Sequence, residues 1–500
     1  MNMKQTEIIS AVFALVISIC YPVCMNAATI TNPVFVYADE SPVEVVRIDY
    51  TKDMTRVYFT VCPDDSSQFG IVRGMFVVGD DGIRRQAIDY MGIEVDSIYY
   101  IESGKYMKFT IDFEPIPENN MCLDVRMPSK FGIYGLHDTK VKLDIPDIEG
   151  YYDQLEEQPD LFTTDQIEIE GTVHDPYGLL GKRVYANRMP IIIKTGVYDD
   201  LYADITPDGH FSMKFNMDVP QVLNFRQNRI AGKVISESFV ARPGDKLKVD
   251  IYDWHEGKPL KIENITGRNT YSHLIGAPGV HFNFAAYVVN TMEDFNRFTY
   301  EQTMSDMGEG YKRAIDFAKY VCWHYCMSPY EAKLYTDYVT VQFIYYMMGI
   351  DVSVKSQYLK ATDETKKERY RSMIDKADYK YLCLLSPDAP QYVLSCSYAE
   401  ELGNYIMQLK PFFDCYDNVP VGTDDRWLCI IQMQQELLNK ITGWSGSSFI
   451  MEQIIVAGVN YVLTDRSITA EQAGEVRKLL RYPYNLKRFD IKCSEYIKKK

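Results

Sequence analysis

The stretch from Gly171 to Asp250 constrains the fold more than any other part of the chain. It opens with Gly171-Thr172-Val173-His174-Asp175-Pro176-Tyr177-Gly178, turns at Thr206-Pro207-Asp208-Gly209-His210-Phe211, and closes with Arg242-Pro243-Gly244-Asp245. Alternating segments around Asp208-Gly209 predict a hairpin, because that dipeptide accepts the positive φ angles of a type I′ turn. The Pro243-Gly244-Asp245 corner then starts a strand in which Leu247, Val249 and Ile251 share one face. A β-sandwich domain is expected over 166–266.

An earlier β-sandwich-like domain is expected over 29–147. Val57, Phe59 and Val61 alternate with Arg56, Tyr58 and Thr60, and Met107, Phe109, Ile111 and Phe113 alternate with Lys108, Thr110 and Asp112. Such strands bury one face and wet the other. Gly79-Asp80-Asp81-Gly82 marks a tight turn between Val78 and Ile83. Between the two β units, 148–165 reads as a linker, acidic at Glu156, Glu157 and Asp160 and broken by Pro159.

From residue 280 to 500 the period becomes helical. Ala314, Ile315, Ala318, Val321, Cys322 and Tyr325 form one stripe; Leu428, Ile431, Leu438 and Ile441 form another; Ile450, Ile454, Ile455, Val459 and Val462 form a third. Ser328/Glu331, Ser397/Glu400 and Thr469/Gln472 read as capping boxes, with Pro329 at the first position of its helix. About eight helices of ordinary length fit into the segment.

The Asp-Gly turn, the Pro-Gly-Asp corner and the order β domain, β-sandwich, helical region resemble the N-terminal, non-catalytic region of TlpA-like disulfide reductases, thioredoxin-family proteins of Gram-negative envelopes. The resemblance implies a secreted or periplasmic, non-catalytic binding or assembly protein, with an envelope protein or a thioredoxin-like protein as partner. The alternative it leaves open is a truncated thiol–disulfide oxidoreductase whose thioredoxin domain lies beyond Lys500. Those reductases act through Trp-Cys-x-x-Cys, and this sequence contains no Cys-x-x-Cys. No catalytic residue is therefore carried over, and neither a cofactor nor a metal is implied.

The start of the chain agrees with export. Lys4, the apolar run Ile8 to Ile19 and Met25-Asn26-Ala27-Ala28 read as a signal peptide over 1–28, with a mature chain starting near Thr29. Cys20 and Cys24 raise lipidation as the competing reading, but Ile19 and Val23, which precede them, are not small. No later run is long and apolar enough to span a bilayer. The net charge of −16 opposes nucleic-acid binding, and Lys498-Lys499-Lys500 reads as a solvated end.

Beyond the signal, cysteines stand at 62, 122, 322, 326, 383, 396, 415, 429 and 493. An odd number at irregular spacing points to small buried hydrophobes rather than a disulfide framework. The nearest approach to a redox pair is Cys322-Trp323-His324-Tyr325-Cys326. On a continuous helix its two sulfurs lie roughly 40° apart, facing the core, with His324 roughly 200° from Cys322. That geometry favours core cysteines over a redox pair and opposes a zinc site. His273 and His281 flank the turn-rich Gly276-Ala277-Pro278-Gly279, and Asp199, Asp200, Asp204 and Asp208 read as a solvated strand edge. Of the tyrosine pairs, Tyr151-Tyr152 beside the linker is the candidate for a binding surface. Tyr99-Tyr100 is expected to put one ring inward, and Tyr345-Tyr346 to pack within a helix.

Overall fold

The structure is a computed structural model. It describes residues 28–39, 42–63, 65–127, 131–147, 165–174, 183–188, 199–217, 220–226, 234–252, 261–267, 299–390, 392, 402–420, 423, 425–464 and 469–497. The expected signal up to Ala27, the linker over 148–164, the turn-rich region before the helices, and the Ser397/Glu400 cap lie outside the described residues. Two compact units divide between Leu143 and Asp144.

The first unit carries β1 (Ala28–Thr31), β2 (Tyr37–Ala38), β3 (Val43–Tyr50), β4 (Thr55–Val61), β5 (Ser67–Phe69), β6 (Phe76–Val78), β7 (Arg84–Met91), β8 (Tyr99–Ile101), β9 (Met107–Phe113), β10 (Leu123–Met127) and β11 (Phe131–Leu136). Nine of them form one curled antiparallel sheet in the order β1-β3-β4-β9-β7-β6-β10-β11-β2. The curl has its origin in β7. Its first residues, Arg84 to Gln86, pair with β6, and its later ones with β9, with a register shift between Ala87 and Asp89. An extra residue at such a bulge bends its strand and re-aims the pairing. Val57, Phe59 and Ile111 on one half thereby meet Val77, Val125 and Ile133 on the other in one core.

The alternation of β4 follows the sequence pattern, with Thr55, Val57, Phe59 and Val61 buried. In β9 one residue departs from it. Asp112, expected on the wet face, is buried, and the Arg56 guanidinium opposite it donates to both carboxylate oxygens, at 2.6 and 2.7 Å. Burial of that charge is tolerable because it is paired twice.

The second unit begins with β12 (Asp165–His174), β13 (Arg183–Arg188), β14 (Asp199–Asp204), β15 (His210–Met217), β16 (Gln221–Arg226), β17 (Val234–Ala241), β18 (Lys246–Tyr252) and β19 (Lys261–Asn264). They make two four-stranded sheets, β15-β12-β18-β19 and β14-β13-β16-β17, which share one core. Leu247, Val249 and Ile251 point into it as their spacing predicts.

The expected Asp-Gly hairpin is corrected. Strands β14 and β15 lie in different sheets, so the turn between them is a corner joining the layers. The Gly209 amide donates to the Thr206 carbonyl at 2.8 Å, and of the turn residues only Gly209 has positive φ, at 87°. A type I′ turn needs two such residues, so the chain is not set up to pair β14 with β15. Arg242 to Asp245 forms a second corner between layers, with Pro243 leading and Gly244 at φ 80°, the pattern of a type II turn. At Gly171 in the middle of β12, a Cβ would come within 2.3 Å of the Phe211 ring and 2.7 Å of the Val249 carbonyl. Only glycine lets that ring lie flat on the strand.

Nine helices are described after residue 299: α1 (Tyr300–His324), α2 (Pro329–Lys360), α3 (Glu364–Lys376), α4 (Leu402–Gln408), α5 (Lys410–Asn418), α6 (Arg426–Thr442), α7 (Phe449–Thr464), α8 (Ala470–Arg477) and α9 (Pro483–Ile497). A 3₁₀ turn, Lys380–Leu384, follows α3. The capping boxes at Ser328 and Thr469 are both formed. Helix α2 is buried on most sides from Tyr330 to Ile350, where apolar residues lie all round it, and more open after that. Helix α6 is turned slightly from its predicted stripe: Trp427, Ile430, Ile431, Gln434 and Leu438 face inward, and Leu428 and Ile441 are half-buried. The buried indole of Trp427 lies on that inward face and stacks 5.7 Å from the Phe489 ring of α9. From α7, the fully buried Glu452 accepts from the amides of Arg481 and Tyr482, just ahead of α9, at 2.8 and 3.1 Å.

Candidate functional site

The Cys322–Cys326 segment does not continue as a helix. Helix α1 stops at His324, the Met327 amide donates to the Cys322 carbonyl at 3.0 Å, and Cys326 takes φ 49°. The chain must turn there because Ser328 and Pro329 start the next helix. Cys322 is fully buried, and burial, with the nearby Glu331 carboxylate adding to it, pushes its thiol well above the usual range. Cys326 is exposed, which corrects the reading of both sulfurs as core-facing. Both are free thiols. His324 is buried and stacks on Tyr320 at 5.1 Å. Elsewhere Cys122 and Cys415 are buried, but Cys62 and Cys383 are exposed, so the cysteines are not uniformly core residues.

Tyr151, Tyr152, His255, His273, His281 and Cys396 lie outside the described residues. Tyr99 is half-buried, its hydroxyl accepting from the Glu94 amide at 2.8 Å, while Tyr100 is exposed. Tyr345 packs against the Tyr405 ring at 4.7 Å. Strand β14 is an edge strand, and Asp204 on it pairs with Arg183 at 2.6 Å. Next to that edge, the outer face of the other sheet carries two histidine pairs. His174 lies 3.1 Å from Asp250 and stacks on Tyr252, while His210 lies 3.1 Å from Thr172 and 3.6 Å from Asp208. Asp250 and Thr172 are half-buried and Asp208 is exposed, which is the arrangement of a solvated strand face.

The most distinctive chemistry is at Asp351, which the sequence reading did not single out. It sits on α2, one turn before Lys355, in a small pocket also lined by Tyr300, Val354, Tyr379 and Lys410. The space there admits about one water-sized group. Tyr381 donates from its hydroxyl to Asp351 Oδ2 at 2.7 Å. Tyr379 reaches the pocket because it adopts φ 55° just ahead of the 3₁₀ turn, which aims two tyrosines of one short segment inward. Asp351 is half-buried, and desolvation of its carboxyl raises the pKa to about 7. The Tyr381 hydrogen bond opposes that rise, and the Asp378 charge adds to it. A carboxyl poised there can take up or release a proton near neutrality. One signal could have found it: Asp351 is the only charged residue between Asp337 and Lys355 in an otherwise apolar helix.

No known family model, curated protein or solved structure matches this chain. Among the described residues, no helix is long and apolar enough to cross a membrane.

Proposed function

We propose that the chain is a secreted or periplasmic, non-catalytic binding or assembly protein of the cell envelope, with a protein partner. The observation that carries this reading is a set of large apolar side chains left outside the core of the first unit. Ile88, Ile98, Tyr100 and Tyr106 project into solvent at 58%, 73%, 69% and 67% exposure, on strands or turns that have full cores of their own. Tyrosine rings, which pair a flat apolar face with a hydroxyl, are enriched at protein interfaces. The resemblance to the non-catalytic region of TlpA-like reductases and the signal-like start of the sequence support the same reading. The deeply buried Cys322 thiol, whose pKa burial raises, is ill suited to attack a disulfide.

A photo-crosslinking residue placed at Ile98 or Tyr100 in the native host tests this. One envelope protein of fixed mass should be captured at both positions, and not from the exposed Lys140. The purified chain should fail to reduce insulin with dithiothreitol as electron source. Reductase activity that vanished in an equally stable Cys322→Ser/Cys326→Ser variant would overturn the reading in favour of an enzyme.

A further inference from the structure

Asp351 and Lys355 line the same pocket one helical turn apart on α2, but no ion pair joins them. Lys355 Nζ instead lies 4.8 Å from the centroid of the Phe413 ring, on α5. An acid four residues ahead of a lysine is the favourable order for pairing along a helix. The free space of the pocket matches one ammonium head. The other lysine that lines it, Lys410, already pairs with Asp414.

We propose that Lys355 is a proton-gated latch between α2 and α5. It rests on Phe413 while Asp351 holds its proton, and turns into the pocket to pair with Asp351 once that proton has left to solvent. The charged and titratable groups around the pocket fit this assignment, with Glu301 of α1 held by Lys376 of α3 at 2.7 Å. Tyr300 comes from α1 and keeps its proton, since burial raises its pKa. Asp378, Tyr379, Lys380 and Tyr381 come from the segment after α3, where Lys380 is held by Asp378 at 2.8 Å. Lys410 and Asp414 of α5 hold each other, and α3 lines the pocket with apolar Met373 and Ile374. Lys355 is therefore the lining cation without a carboxylate partner among the described residues. Lys355 and Phe413 are both half-buried, and a cation–π contact is of the same order as an intrahelical ion pair. Loss of one proton is then enough to choose between them, and the Asp351 pKa of about 7 places the change near neutrality.

Hydrogen–deuterium exchange of the α5 amides in the full chain, corrected for intrinsic rates, tests the latch at pH 6 and pH 8. Wild type should lose protection in Lys410–Asn418 by about twofold to fivefold at the higher pH, the equivalent of one cation–π contact. Asp351→Asn should keep the protection at both values. Lys355→Met, which retains the apolar stem, should show the lower protection at both, and so should Phe413→Leu. Protection that does not change with pH in wild type, or that falls equally in Asp351→Asn, overturns the proposal.

Discussion

At Asp351 a single carboxyl makes stability depend on pH. Its folded pKa of about 7 exceeds the value of about 3.9 expected in the unfolded chain. The folded state therefore binds the proton more tightly, and the stabilisation is complete below the unfolded pKa and lost as pH rises through 7. Three units correspond to about 4 kcal/mol, which partial solvation reduces to about 2 kcal/mol. Thermal melts should show Asp351→Asn to be more stable than wild type at pH 8, with the advantage shrinking toward pH 5. An advantage that does not vary with pH would contradict this account. The cysteines make a second contrast at this scale. Cys326 should react with an aromatic disulfide reagent in the folded protein, and Cys322 only on unfolding. Cys322→Ser should cost about 1 kcal/mol or more by burying a hydroxyl, and Cys326→Gly should gain up to about 1 kcal/mol by relieving a left-handed residue. Denaturant titrations read both. Burial of Cys322 was legible in its helical stripe. Exposure of Cys326 was not, because it depends on the helix ending two residues earlier.

Secondary structure was most legible where one local cause decides it. The Ser328 and Thr469 caps, the alternation of β4 and the inward face of β18 follow directly from residue type and spacing. The Asp-Gly turn misled because turn chemistry fixes a reversal of the chain but not the partner of the next strand. Strand β15 pairs with β12, over eight residues, because Ile167, Ile169, Phe211, Met213 and Phe215 bury together there. The Asp351 pocket was hidden for a similar reason: its tyrosines come from α1 and from the segment after α3. Glu452 shows the energetic weight of such non-local contacts. Glu452→Ala leaves the Arg481 and Tyr482 amides without the acceptor that anchors the start of α9. A loss of about 3 kcal/mol is expected from denaturant unfolding, against less than about 1.5 kcal/mol for Ser328→Ala. Equal losses would mean that Glu452 holds nothing in place.

For the whole molecule, the order of a β unit, a β-sandwich and helices was legible from the change of period along the chain. The curl of the first sheet was not, since it depends on one strand serving both halves. A fragment ending at Leu143 should melt cooperatively by itself, because its core lies wholly within that unit. A broad, non-cooperative transition with dye-binding apolar surface would show that it needs the rest of the chain.

The two corners described above, at Thr206–His210 and Arg242–Asp245, bear on how the β-sandwich is made. Each corner carries the chain from one layer to the other, so neither sheet is a continuous piece of sequence. Strand β12 lies inside its sheet, and its second neighbour, the parallel strand β18, is translated long after it. A chain emerging from the ribosome thus presents one open side of β12 until Lys246–Tyr252 has been made. Contacts this distant in sequence form slowly. Nascent chains arrested before β18 would be the species most prone to joining edge to edge, and a holdase would be of most use to the protein during that interval.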